Sequence, residues 1–240
     1  SVSVPIGQPN WGLWGDGKSS LFVVGWWGVT GRLDMAPGGA AAGSELDKGA
    51  FHTLNGNAAI GKNFTGVWGT STSDVVAVGP AGLMMRYDGK GWSPDPSGKN
   101  HDLTGIHGAG DTLVASGRGG VLLVRRKGRW TELDTGTSED LWSVWTSGEE
   151  IFASASHGTV VRCDAAGCAP MKTGVKDELW SIWGTSPKEV IVAGEKGTLL
   201  RWDGASWKRH AVPADAGFSA LGSDGKGGVL ALTLTTTYRL

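Results

Sequence analysis

Leu179-Trp180-Ser181-Ile182-Trp183-Gly184, followed by Val190 to Gly194, by Leu199-Leu200-Arg201-Trp202-Asp203-Gly204 and by Trp207, is the clearest copy of a phrase that the chain repeats. Its anchor, the Trp of Val/Ile-Trp-Gly, falls at Trp14, Trp68, His107, Trp145, Trp183 and Gly222. The last five anchors are 39, 38, 38 and 39 residues apart. Within each period lie three or four short apolar runs separated by Gly-rich turns. Val75-Val76-Ala77-Val78 has the β-branched content that strands favour. A period near 40 residues with up to four strands per unit predicts an all-β fold of radially repeated blades, a β-propeller.

In the second unit the pattern predicts strand one at Phe64–Trp68, strand two at Val75–Gly79, strand three at Leu83–Asp88 and strand four from Trp92. Taking each period as a blade gives six four-stranded antiparallel blades in a single domain, 1–240: 10–63, 64–102, 103–140, 141–178, 179–217, and 218–240 completed by 1–9. The last unit shows only three strand runs, so Ser1–Ile6 is expected to supply its fourth strand and close the ring, leaving no open edge. An insertion lies between Arg32 and Phe51, centred on Pro37-Gly38-Gly39-Ala40-Ala41-Ala42-Gly43. It reads either as a tolerated loop or as a binding lip on one rim.

Composition excludes several classes of partner. The 41 glycines follow the repeat, as turn residues do. The formal charge is −1 with acids and bases interspersed, so nothing in the electrostatics favours nucleic acid or an anionic membrane surface. Apolar runs such as Leu21–Val24 and Leu83–Met85 are far too short for a membrane span.

The two cysteines, Cys163 and Cys168, take the repeat positions of Trp202 and Trp207, which flank the turn between strands three and four. Residues flanking a hairpin turn face each other, so a Cys163–Cys168 disulfide is expected in place of a cross-strand aromatic pair. Such a bond persists in an oxidising compartment; two free thiols in a cytosolic protein are the alternative. Two Cys without a matching Cys/His pair give no zinc site, and no metal or cofactor is expected.

An arginine recurs at the end of strand three in every unit: Arg32, Arg86, Arg125, Arg162, Arg201 and Arg239. Asp74, Glu150 and Glu189 each stand 12 residues before their arginine, and Asp111 stands 14 before Arg125. The expected role is structural, a bidentate pairing of guanidinium with carboxylate or a capping of turn carbonyls. A ring of cations gripping an anion is the other reading.

The 13 tryptophans divide by position. Trp14, Trp68, Trp145 and Trp183 recur at the anchor and read as packing between blades, as do Trp92, Trp130 and Trp207 at the start of strand four. Trp11, Trp142 and Trp180 occupy the second position of strand one, where other units have Thr65, Thr104 and Ser219. The repeat does not require tryptophan there, so these residues are candidate ligand platforms, with gap filling between blades as the alternative. Trp26 and Trp27 form a second candidate patch.

No catalytic residue is assigned. Tyr87 and Tyr238 lie inside the strand-three signature, and the five histidines show no metal-ligand spacing. His107 stands in for a core Trp and reads as a packed histidine. Asp102 precedes strand one without an identified partner, and one acid is not an acid/base pair.

Val67 to Gly79, read as Val-Trp-Gly-x-Ser-x-x-Asp-Val-x-Ala-Val-Gly, and Arg86-Tyr87-Asp88-Gly89-x-x-Trp92 resemble the Trp-Gly repeat propellers of secreted or surface bacterial proteins. The Asp-Gly-x-x-Trp turns at 88–92 and 203–207 are similar to, but shorter than, the Asp-box of sialidase-like propellers. A looser resemblance links the Trp-rich units to tectonin-type lectins. Together these imply a propeller of the bacterial envelope, periplasm or exterior that works by binding, as a monomer or as a subunit of a larger surface assembly. The expected function is a protein-interaction scaffold; a carbohydrate-binding lectin is the alternative, and a glycan-active enzyme the third reading.

Overall fold

The computed structural model describes residues 12–16, 20–25, 30–34, 50–53, 62–212, 217–223, 227–233 and 236–240. The chain divides into two compact units, Ser1–Leu103 and Thr104–Leu240. In the first unit, β1 (Gly12–Gly15), β2 (Ser20–Val24), β3 (Thr30–Asp34) and β4 (Ala50–Thr53) form one antiparallel sheet, and β5 (Gly66–Ser71), β6 (Asp74–Val78), β7 (Met84–Tyr87) and β8 (Trp92–Pro94) a second.

Three more four-stranded sheets follow, the first beginning at the boundary residue Leu103 and the rest lying in the second unit. These are β9 to β12 (Leu103–Ala109, Thr112–Gly117, Leu122–Arg126, Arg129–Glu132), β13 to β16 (Leu141–Thr146, Ile151–Ala155, Thr159–Asp164, Gly167–Lys172) and β17 to β20 (Ser181–Ser186, Glu189–Ala193, Leu199–Trp202, Trp207–Arg209). The unit ends in a three-stranded sheet of β21 (Phe218–Ser223), β22 (Val229–Thr233) and β23 (Thr237–Arg239). Each sheet is a simple meander, the blade of a β-propeller.

The expectation of six four-stranded blades is thereby corrected: among the described residues five blades are four-stranded, and the last sheet has three strands. Counting anchors counts periods, whereas a blade needs four paired strands, and the last period contains only three strand runs. Ser1–Ile6, the strand expected to close the ring, lies outside the described residues, as does 35–49, most of the insertion.

The strands are short apolar runs because both faces of each blade are covered. Val75, Ala77 and Val78 on β6, and Phe152, Ala153 and Ala155 on β14, are fully buried. Packing also explains the Gly of the Trp-Gly phrase. A Cβ at Gly69 would lie 2.8 Å from the Trp14 ring, and one at Gly184 would lie 2.8 Å from the Trp145 ring. The glycine after each of these anchors is therefore the seat for the tryptophan of the preceding blade. Where that tryptophan is replaced by His107, the seat is no longer glycine but Thr146, whose N–H donates to His107 Nδ1 (3.2 Å). His107 is buried, and its ring stands edge-on to Trp183 at 5.3 Å.

Neighbouring blades are also tied by hydrogen bonds at the start of strand one. Thr65 Oγ1 donates to the Leu103 carbonyl (2.8 Å), and Thr104 Oγ1 donates to the Leu141 carbonyl. Five residues before three anchors stands an acid, Asp102, Asp140 or Glu178. Each accepts the N–H of a left-handed residue in the strand-two-to-three turn of the preceding blade. The bonds run from Ala81 (φ 54°) to Asp102 at 2.9 Å, from Gly119 (φ 68°) to Asp140 at 2.8 Å, and from His157 (φ 55°) to Glu178 at 3.4 Å.

Candidate functional site

The replacement of Thr by Trp at the second position of strand one has a structural counterpart. Trp142 Nε1–H donates to Glu178 Oε2 (2.9 Å) of the next blade and to Ser156 Oγ (3.1 Å). The indole thus makes the link between blades that Thr65 and Thr104 make through a hydroxyl. Trp180 is 37 % exposed, an unusual degree for so large an apolar group. The structure brings the two candidates together: their ring centroids are 5.0 Å apart at an interplanar angle of 59°. Trp11, Trp26 and Trp27 lie outside the described residues.

Charged groups frame the pair. The Arg118 guanidinium lies over the Trp142 ring, 5.5 Å from its centroid, and its Nη1 is 3.3 Å from Asp140 Oδ2. His157, exposed at the tip of its turn, is 2.7 Å from Glu139. The hydrogen bond and charge of Glu139 hold the imidazole pKa above its ordinary value. Lys196 bonds Asp177 at 3.1 Å, and Thr198 Oγ1 donates to the same carboxylate at 2.7 Å. These bonds, that to Thr198 foremost, keep Asp177 below the usual carboxylate range.

All these groups come from the strand-two-to-three turns and the segments leading into strand one, so they share one end of their blades. Arg118 and the carboxylates of Asp140 and Glu178 escaped the sequence reading. The acids were legible as a repeat five residues before the anchor. Arg118 carried no signal, because its position holds Ser156 one period later and Glu195 after that.

The repeated arginines lie at the opposite end, where strand one turns into strand two. Arg86 Nε is 2.7 Å from Asp74, Arg162 Nη2 is 2.7 Å from Glu150, and Arg201 Nη2 is 2.6 Å from Glu189. The guanidinium groups of Arg32 and Arg162 also sit over Phe22 and Phe152, at 5.9 and 5.8 Å. Arg125 and Arg239 pair in register with Leu113 on β10 and Leu230 on β22. Here the guanidinium joins adjacent strands of a single blade.

Cys163 and Cys168 are directly opposite in register on β15 and β16 and form a disulfide. Trp202–Trp207 and Tyr87–Trp92 occupy the equivalent places as ring pairs with centroids 5.5 Å apart. In the Asp-Gly-x-x-Trp turns, Asp88 Oδ1 accepts the N–H groups of Lys90 and Gly91, both at 2.9 Å, and Asp203 Oδ1 accepts those of Ala205 and Ser206 at 3.0 and 2.8 Å. Both aspartates are fastening their own turns.

Two depressions occur elsewhere in the second unit. One of about 90 Å³ is lined by Glu189, Arg201 and His210, and one of about 600 Å³ by Arg126, Glu149, Glu150 and Asp164. Neither includes Trp142 or Trp180. Among the described residues no group of three His, Cys, Asp or Glu could hold a metal ion, and no helix is long and apolar enough to cross a membrane.

No protein-family model matches the chain, and no curated protein matches it either. Solved structures do. A structure described as YCF48 bound to D1 peptide superposes with a TM-score of 0.66 at 16 % identity, covering 91 % of this chain and 74 % of that one. The extracellular domain of BT4673 from B. thetaiotaomicron superposes with a TM-score of 0.66 at 14 % identity, covering 95 % of this chain. This chain spans 31 % of the length of that second structure. At these identities the likeness establishes the propeller fold.

Proposed function

We propose that this chain is a non-catalytic binding propeller of the Trp-Gly repeat type, a scaffold that docks a protein partner on the Trp142–Trp180 surface. One observation carries the reading: two neighbouring tryptophans depart from the repeat and meet at 5.0 Å, Trp180 exposed and Trp142 in contact with Arg118 and Glu178. Aromatic groups with a polar rim are characteristic of protein interfaces. The peptide carried by the YCF48 structure is consistent with such a role on this fold. A lectin would need open indole faces for sugar stacking, and Arg118 already covers a face of Trp142. The Cys163–Cys168 disulfide favours an oxidising compartment, hence a place at the bacterial surface or in the periplasm.

The test is a peptide-display selection and a glycan array, each probed with the wild-type chain and with the Trp142→Ala/Trp180→Ala variant. Peptides that bind wild type and lose the folded double variant would support the proposal. Glycan binding abolished by the same substitutions, with no peptide selected, would make the chain a lectin.

A further inference from the structure

Arg125-Arg126-Lys127-Gly128-Arg129 gathers four of the chain's 22 lysines and arginines into five residues, at the turn that joins β11 to β12. Arg125 is the repeated arginine of strand three. In three other blades the residue after that arginine is one half of a facing pair across the hairpin: Tyr87 with Trp92, Cys163 with Cys168, and Trp202 with Trp207. Here the facing pair is Arg126 and Arg129. Like charges directly opposite each other on paired strands repel.

The tip of the turn departs from the repeat in the same direction. Asp88, Asp164 and Asp203 begin the other three turns and accept backbone N–H groups of their own loops. Their place is taken here by Lys127, at φ 50°, a conformation for which Asn, Asp or Gly is the favoured residue. The turn thus gives up an apolar pair and an acid for three cations. Arg126, Lys127 and Arg129 are all exposed. Among the described residues no carboxylate lies within ion-pair distance of any of them, whereas Arg162 in the next blade has Glu150 at 2.7 Å. Arg126 Nη2 donates to the Gly148 carbonyl at 3.5 Å. Proteins depart from their own local rules chiefly at functional sites.

We infer that this hairpin is a docking point for an acidic segment of a protein partner, one carboxylate on each of Arg126 and Arg129 with Lys127 at the tip. The paired N–H groups of guanidinium match a carboxylate in shape and charge. Two acids at alternate positions of an extended segment project from one face about 7 Å apart, within reach of two long side chains on facing strands. The neighbouring turns limit the partner's charge. A depression of about 600 Å³ is lined by Arg126 together with Glu149, Glu150 and Asp164. Those carboxylates oppose an extended polyanion, such as nucleic acid or an anionic membrane, and leave room for a short acidic segment. The hairpin lies at the end of its blade opposite the Trp142–Trp180 surface and is a second site, independent of it.

The experiment is an NMR titration of the whole chain with a twelve-residue peptide carrying Glu-Thr-Glu at its centre, and with the Gln-Thr-Gln counterpart. The expected result is saturable shifts of the Arg126 and Arg129 side-chain N–H resonances with the acidic peptide alone, weakening as salt is raised. Arg126→Tyr/Arg129→Trp, which installs the facing pair of the second blade, should raise the melting temperature and weaken binding about tenfold or more. Arg126→Gln/Arg129→Gln, which keeps the length and polarity of both side chains, should weaken binding to the same degree if the ring pair does not fold. Trp180→Ala should bind the acidic peptide as wild type does, which separates this site from the surface proposed above. Equal shifts with both peptides, no shifts at millimolar acidic peptide, or binding that survives the loss of both arginines would overturn the inference. Tighter binding of duplex DNA or of anionic phospholipid vesicles than of the acidic peptide, at the same salt, would overturn it as well.

Discussion

At the scale of single residues, the glycine after the anchor is set by its neighbour in the preceding blade. Gly184→Ala places a methyl against the Trp145 ring and is expected to destabilise the chain by about 1–3 kcal/mol, the usual cost of overfilling a packed core. The double variant Trp145→His/Gly184→Thr, which copies His107 and Thr146 onto the next junction, should recover part of that loss. Chemical denaturation of the two single variants and the double variant measures this coupling. His107 gives a pH signature. Burial pushes its pKa down to about 3 from an ordinary 6.5. Between those values the unfolded chain binds a proton that the folded chain does not, so stability is full above pH 6.5 and falls as the pH drops, by up to about 1.4 kcal/mol per unit. His107→Gln should flatten this dependence in urea titrations across pH 4–7. His157 shifts the other way: its imidazole resonances should titrate above 6.5, and Glu139→Gln, which removes the main cause, should lower that midpoint.

At the scale of elements, strands three and four are joined across their turn by interchangeable pairs: Trp202 with Trp207, Tyr87 with Trp92, and Cys163 with Cys168. The disulfide closes a loop with a separation of only 5 residues, so its loss in Cys163→Ala/Cys168→Ala should cost less than the roughly 3 kcal/mol expected for a 15-residue loop. Cys163→Trp/Cys168→Trp should restore stability by reinstating the ring pair, as thermal unfolding would report. The arginine–carboxylate pairs are half exposed, so Arg201→Ala should cost about 1 kcal/mol or less and leave peptide binding unchanged. A loss of binding without a change in melting would reassign that arginine to a binding role. These features were legible because each falls on a position that recurs at the period: the strand runs, the facing places that the cysteines take, and the acids 12 residues before Arg86, Arg162 and Arg201. The candidate tryptophans were legible for the opposite reason, since they depart from it. Arg118 neither recurs nor departs from a pattern, and only the fold brings it over Trp142.

At the scale of the molecule, the repeat defined the blade and misled on the count. Gly222 keeps the spacing of an anchor, but β21–β23 form three strands, and no period in a sequence records whether a fourth strand pairs. Propeller structures at 14–16 % identity share this architecture, so the chemistry particular to this chain lies in the residues where its blades differ from one another. Those differences gather in the junctions around Trp142 and Trp180.

The pairing of Trp with Gly and of His with Thr also bears on how such a chain can grow. A tandem copy of 141–178 would bring Trp145 against a second Thr146, and its side chain would occupy the space the indole needs. A copy of 103–140 would set His107 beside Gly108, a seat without a side chain, and leave a void. Copying either of these two blades is therefore penalised at the splice, whereas a copy of 179–217, which carries Trp183 together with Gly184, is not. What is inherited intact is the seam between blades.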